Sequence, residues 1–272
     1  MRPATASLVL LLVASVAPAA GPELRFRRAG AEVRRLDRDA LAAACAPETI
    51  TLDDPYYQGR KTYRALPLAC VLTAGLGDAA TLRDQDVVLR ALDGYEKPTT
   101  GARLLAAGGF VAIADAERAS GWAPIERAGK DPGPFYVVWT RPEQRDTHAW
   151  PWPYQLAEIE VTDWKATHPH AVPTTAAPDA PAWRGFALFR ENCVACHAVN
   201  GEGGRVGPDL NVPQSIVEYR PVPQLKQFIR APQTFRYGNM PAHPDLTDAD
   251  LDALIAYFET MKGLKHDPQA AR

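Results

Sequence analysis

The sequence predicts an α+β chain in two parts. A mixed, β-rich N-terminal part runs over residues 21–172, and an all-α part follows over residues 183–266. Three observations predict this division. Short runs of β-branched and aromatic residues recur through the first part. Apolar residues at helical spacing dominate the second. Between them, residues 173–182 (PTTAAPDAPA) hold no apolar period and read as a semi-extended linker.

In the first part, residues 86–92 (DVVLRAL) read as a strand, and Asp93 and Gly94 form a strong turn dipeptide. Residues 110–114 (FVAIA) and 135–140 (FYVVWT) are β-rich apolar runs. Residues 158–164 (EIEVTDW) alternate apolar and polar, as a half-buried strand does. Residues 66–72 and 101–107 read as short helices inserted between strands.

In the second part, a helix over residues 183–192 leads into a cysteine motif, and residues 223–230 put Leu225, Phe228 and Ile229 on one helical face. Thr247 with Asp250 three residues on is an N-terminal capping pattern. Leu251, Leu254, Ile255, Phe258 and Met261 continue it at helical spacing, with Gly263 as a stop. Twenty-five prolines favour a loop-rich chain over one continuous helical body.

The 272 residues are 46% apolar and 23% charged, ordinary for a globular protein. The formal net charge of -2 leaves no basic excess to neutralise phosphates, so no nucleic-acid partner is expected. Residues 1–20 read as an export signal that is cleaved: Arg2, the apolar run LVLLLVASV over residues 8–16, then small residues APAA at 17–20. That run is too short to span a bilayer. A periplasmic mature chain that does not span the membrane is therefore expected, closing in a short tail over 267–272. An oxidising compartment permits disulfides. Cys45 and Cys70 are either one bridge or two small buried residues, and the PLACVL context of Cys70 reads as an apolar helix.

The chemistry lies in the sequence CVACH at 193–197. Two thiols three residues apart on a helical turn face the same way. They can add to the two vinyl groups on one edge of a haem, and His197 then stands under the iron as an axial ligand. A thioredoxin-like dithiol needs a βαβ setting, whereas these flanks are helical and glycine-rich. A zinc site needs a second ligand pair, and Cys45 and Cys70 lack that spacing. One covalent haem c is expected.

Of the three methionines, Met1 leaves with the signal and Met261 continues the apolar face of the last helix. Met240, in a loop with Gly238 and Pro241, is the second axial ligand by elimination; His243 is the alternative, otherwise a solvated loop residue. A soft, neutral thioether stabilises ferrous iron, and two filled axial positions suit outer-sphere electron transfer better than bond chemistry.

Residues 183–266 resemble a class I cytochrome c domain. Gly185 and Phe189 match the small and aromatic positions of that family's first helix, and Tyr257 matches their aromatic partner in its last. The GPDL run at 207–210 resembles the loop whose proline, here Pro208, packs behind the axial histidine. The YGNMP run at 237–241 resembles the methionine loop, which adds Tyr237 to the haem contacts. The resemblance implies a small helical fold around one haem exposed at one edge.

The first part resembles the pterin-binding domain of sulfite-oxidase-like molybdenum enzymes. The pieces are YRALPLACVL at 63–72, DGY at 93–95, GPFYVV at 133–138 and residues 150–159. In that family a cysteine in a Cys-Gly-Asn-Arg-like context binds molybdenum. Neither Cys45 (AAACAPE) nor Cys70 stands in one, so the resemblance is to a cofactor-free relative used for docking, without molybdopterin.

The expected function is a periplasmic mono-haem carrier that passes single electrons between a partner dehydrogenase or oxidase and a respiratory acceptor, and is not itself an enzyme. The alternative is a molybdopterin-dependent oxidoreductase, sulfite-dehydrogenase-like, with a built-in haem c acceptor. A third is a sensor in which Met240 dissociates to admit a gas. His148, Trp150 and Trp152 form a polar-aromatic group in which the tryptophans read as a packed strand entry. His168 and His170 read as solvated.

Overall fold

Charged and apolar residues are sorted strand by strand in the first part. The computed structural model describes residues 21–126, 129–147 and 149–270; the expected export signal, His148 and the last two residues of the tail lie outside them. The chain opens with a hairpin of β1 (Glu23–Arg28) and β2 (Ala31–Asp37). Its two-residue turn, Ala29 and Gly30, has φ of 46° and 84°, the left-handed pair that matches strand twist. Helix α1 (Arg38–Ala44) begins at Asp37, whose carboxylate accepts from Ala40 N at 2.8 Å. Strands β3 (Glu48–Asp54) and β4 (Gly59–Pro67) lead to α2 (Leu68–Leu76). Strands β5 (Asp86–Ala91) and β6 (Glu96–Thr100) flank the predicted turn, where Gly94 has φ of 90°. After α3 (Gly101–Leu104) come β7 (Gly109–Asp115), β8 (Tyr136–Trp139), β9 (Leu156–Val161) and α4 (Trp164–Thr167).

These strands form two sheets. One has the order β2-β1-β9-β5-β6, with β1 and β9 parallel; the other is the antiparallel β3-β4-β7-β8. One apolar core lies against both and includes Leu24, Phe26, Tyr63, Val87, Trp139, Trp152 and Ile159. Trp152 is packed, as expected, and Trp150 meets Trp139 edge-on at 4.8 Å between centroids. Cys45 and Cys70 form a disulfide with Cα atoms 5.8 Å apart, which ties the end of α1 to α2. Closing a loop of 25 residues stabilises the fold by roughly 3 kcal/mol through the unfolded chain.

The reading of residues 158–164 as half-buried needs correction. β9 is buried on both faces, and the strand ends at Val161. Its polar face is covered because Arg90 on the neighbouring β5 reaches Glu158 Oε1 at 2.8 Å, bonds Glu160, and meets Glu96 Oε2 on β6 at 2.8 Å. The helix predicted over 101–107 is a single turn. Strands β1 to β4 and β6 and helix α1 have no counterpart in the sequence reading: β2 is almost wholly exposed, and β6 carries Pro98, tolerated because β6 is an edge strand.

The second part is α-helical except for one short ladder. It comprises α5 (Pro181–Asn192), β10 (Ala198–Val199), β11 (Glu202–Gly203), α6 (Ile216–Tyr219), α7 (Val222–Arg230) and α8 (Asp248–Lys262). Helices α5 and α8 cross at Gly185, where a Cβ would lie 2.0 Å from the Ala253 carbonyl oxygen. Phe189 packs on Tyr257 with centroids 5.4 Å apart, and Tyr257 donates to the Ala171 carbonyl at 2.7 Å. Thr247 and Asp250 cap α8 reciprocally, as predicted. Gly263 ends the helix at φ of -79°, without the left-handed turn that a glycine stop usually supplies.

The two parts share a core and a polar seam. Val88, Trp164 and Ala171 pack into the helical core. Glu96 N donates to Ala195 O at 3.0 Å and Arg205 N to Gly94 O at 2.8 Å. His168 is buried, not solvated: its Nε2 lies 2.7 Å from Glu96 Oε1, and its ring stacks on Trp164 at 4.3 Å. His170 contacts Glu202 at 2.7 Å through Nδ1 and stacks on His266.

Burial raises the pKa of Glu96, but the hydrogen bond from His168 and the charge of Arg90 outweigh it and hold the carboxyl at about 2. A depressed carboxyl contributes stability above its ordinary range near 4.5 and loses that contribution as pH falls toward 2. Denaturant unfolding of Glu96→Gln is expected to show a loss of about 3 kcal/mol at neutral pH, the scale for breaking a buried ion pair. The loss shrinks as pH falls below 4.5; one that is constant from pH 7 to 3 would show that Glu96 acts by shape alone.

Candidate functional site

The end of α5 sets the site. Cys193 N and Val194 N both donate to Phe189 O at 2.9 Å, so the chain leaves the helix in a tight turn. Cys196 N and His197 N then return to Cys193 O at 3.1 and 3.0 Å. This turn places both sulfurs and the imidazole on one wall of a cavity of about 390 Å³. Pro208 lines the same cavity, and Met240 and His243 line it from the loop that follows α7. Leu225, Ile229, Leu254 and Phe258 supply apolar lining from α7 and α8.

The imidazole is fixed from behind. Its Nδ1 lies 2.8 Å from the Pro208 carbonyl oxygen, which can only accept, so Nδ1 carries the proton and Nε2 keeps its lone pair. Gly207 lets the loop close on the ring: a Cβ there would come within 2.4 Å of His197 Cε1. Burial lowers the pKa of His197, against the bond to Pro208, so the ring favours its neutral form. Burial likewise raises Cys193 to about 12 and Cys196 to about 11, with Cys196 adding to the rise at Cys193 and Asp93 to the rise at Cys196.

A polar hinge holds the loop to α8. Asn211 Nδ2 donates to Asn200 Oδ1 and to Met261 O, both at 2.7 Å. Asn200 Nδ2 reaches His170 O at 2.7 Å and Leu264 O at 2.8 Å. Asp209 accepts from the backbone of Gly201, Asn211 and Val212. Gly207 stands in the GPDL run that the sequence reading names, without a role of its own; Asn200 and Asn211 are not in that reading, and Asn200 followed by Gly201, both at positive φ, is the available turn signal.

Cys193, Cys196, His197, Pro208 and Met240 thus come together around one cavity. Tyr237 does not join them: its side chain is fully exposed. His243 is buried at the cavity rather than solvated, with its N donating to Ile229 O at 3.2 Å. Gln233 Nε2 donates to Met240 O at 2.8 Å and steadies the methionine loop. No helix among the described residues is long and apolar enough to cross a membrane.

Residues 182–262 match the cytochrome c family model. The chain is 40% identical over 86 residues to cytochrome c oxidase subunit 2 of Alkalihalophilus pseudofirmus, a stretch of 29% of this chain and 25% of that one. It is 32% identical over 111 residues to lupanine 17-hydroxylase (cytochrome c) of Pseudomonas sp., covering 36% of this chain and 15% of the relative. The matches span a quarter or less of either relative's length. Residues 182–262 therefore form a cytochrome c domain, the kind of domain that serves electron transfer with redox partners.

Proposed function

We propose that the chain carries one covalent haem c and passes single electrons in the periplasm between a partner dehydrogenase or oxidase and a respiratory acceptor. The observation that carries this reading is the convergence of two thiols, an imidazole with its Nδ1 already committed, and one thioether sulfur on a single apolar cavity. Cys193 and Cys196 would hold the porphyrin by thioether bonds, and His197 and Met240 would fill its axial positions. When bound, the haem supplies a one-electron iron couple.

The residues present fit that group. The Pro208 carbonyl orients the imidazole and leaves Nε2 to the cavity, the arrangement by which an outer partner sets a ligand's tautomer. The neutral, soft sulfur of Met240, as a ligand, would favour the ferrous state and raise the potential. The apolar residues of α7 and α8 exclude water. Were His197 and Met240 both to ligate the iron, no coordination site would be left for substrate, which would favour carriage of electrons over bond chemistry. The two relatives, named as an oxidase subunit and a cytochrome c hydroxylase, agree with a redox role.

The carrier reading is preferred to the molybdopterin-dependent alternative on the thiol inventory. Of the four cysteines, Cys193 and Cys196 belong to the haem motif, and Cys45 and Cys70 are bonded to each other, so neither offers a thiolate to a soft metal. In this reading the first part, a cofactor-free relative of the sulfite-oxidase-like pterin domain, positions the cytochrome against its partner.

Expressed in a cytochrome-maturing host, the chain should keep its haem on a denaturing gel, visible by peroxidase-type staining. The Cys193→Ala/Cys196→Ala variant should lose it entirely; a stain that survives would place the attachment elsewhere. Met240→Ala should keep the stain but bind carbon monoxide when reduced and titrate at a lower potential than wild type. If His243→Ala produced those changes and Met240→Ala did not, the axial ligand would be reassigned.

A further inference from the structure

A second cavity, of about 560 Å³, lies between the two parts. Tyr56, Tyr95, Trp152 and Tyr154 wall it from the first part, and Cys196 and Asn239 from the second. Cys196 and Asn239 also line the first cavity, so the two spaces adjoin at these residues. The volume falls in the range of small-molecule sites, roughly 300–1,000 Å³. Tyr56 and Tyr154 stand edge to face at 5.6 Å between centroids, a geometry that leaves ring faces for a planar guest.

The cations lining this cavity are paired off except at one lysine, which has no contact ion pair. Lys97, Lys130 and Arg145 face it with Asp93 and Glu191. Lys130 is paired with Asp93 at 2.9 Å, and Arg145 reaches Asp53 at 3.4 Å. Lys97 is only 7% exposed, and its Nζ donates to the backbone carbonyl of Glu191 at 2.7 Å. An ammonium has three donors. No carboxylate among the described residues lies within ion-pair distance of it. Glu191 acts on this ammonium through charge without an ion-pair contact, so among the described residues two of its N–H donors are left for a small anion in the cavity.

We propose that this cavity binds a small planar aromatic anion, of the aryl carboxylate class, with its charge on Lys97 and its ring among Tyr56, Tyr95 and Tyr154. Only the nearness of that ligand to the haem edge rests on the haem reading above. The site itself stands on the cavity, its rings and the buried lysine.

The test is calorimetric titration of the full, haem-loaded chain with 4-hydroxybenzoate, with the haem absorption followed in parallel. Saturable binding of one molecule per chain is expected, at least tenfold tighter than phenol or acetate. Lys97→Met should weaken it at least tenfold, and Tyr154→Ala, which leaves the lysine in place, should weaken it several-fold. Absence of saturable heat in the wild type overturns the site. So does equal affinity for acetate, or a folded Lys97→Met or Tyr154→Ala variant that binds as tightly as wild type. Missing haem absorption would count against the haem reading alone, and the calorimetric result would still decide the site.

Discussion

One hydrogen bond, from the His197 ring to the Pro208 carbonyl, is the constraint on which the rest of the second part depends. A buried imidazole is useful as a ligand only if its tautomer and its plane are fixed. Fixing them requires the 207–211 loop to lie directly on the ring, which only a glycine at 207 permits. That loop is held in turn by Asn211 and Asn200, which tie it to the last turn of α8. Helix α8 keeps its place by crossing α5 at Gly185, and α5 ends in the turn that bears the two thiols. The chain of contacts closes on itself, so the ligand geometry and the fold are one arrangement.

The first part is not a loosely tethered neighbour. Glu96 and Lys97, consecutive on β6, both reach the helical part: one through its backbone N–H to Ala195, the other through the Glu191 carbonyl. Arg90 gathers three glutamates beneath this seam. A buried ionic cluster of this kind contributes little net stability against an apolar substitute, but breaking one member is costly. It therefore acts mainly to fix how the sheet meets the cytochrome c domain. Between them the two parts enclose the tyrosine-lined cavity that opens onto Cys196.

The second part was largely legible in the sequence, and the reason is chemical. Thioether attachment demands a fixed thiol spacing with histidine next to it, and amphipathic helices announce themselves by period. The α5–α8 crossing was legible only through the family resemblance, which matched Gly185, Phe189 and Tyr257 to the first and last helices; their sizes alone assign no contact. Tyr237 misled because a motif match gives no direction to a side chain. In the first part the apolar strands β5, β7 and β8 were legible. β2 was not, since an exposed, charged edge strand carries no burial signal. β9 was misjudged because its glutamates are neutralised by Arg90, far away in sequence. The Cys45–Cys70 bridge depends on a Cα proximity that no local pattern encodes.

The central claim is that an imidazole and a thioether sulfur share one iron. It is tested most directly by the absorption spectrum of the oxidised holoprotein, in the long-wavelength region where sulfur-to-iron charge transfer appears. The account predicts that weak band at neutral pH, and its loss when Met240 is replaced by histidine. A wild-type spectrum without the band, or one of bis-histidine type, would contradict it.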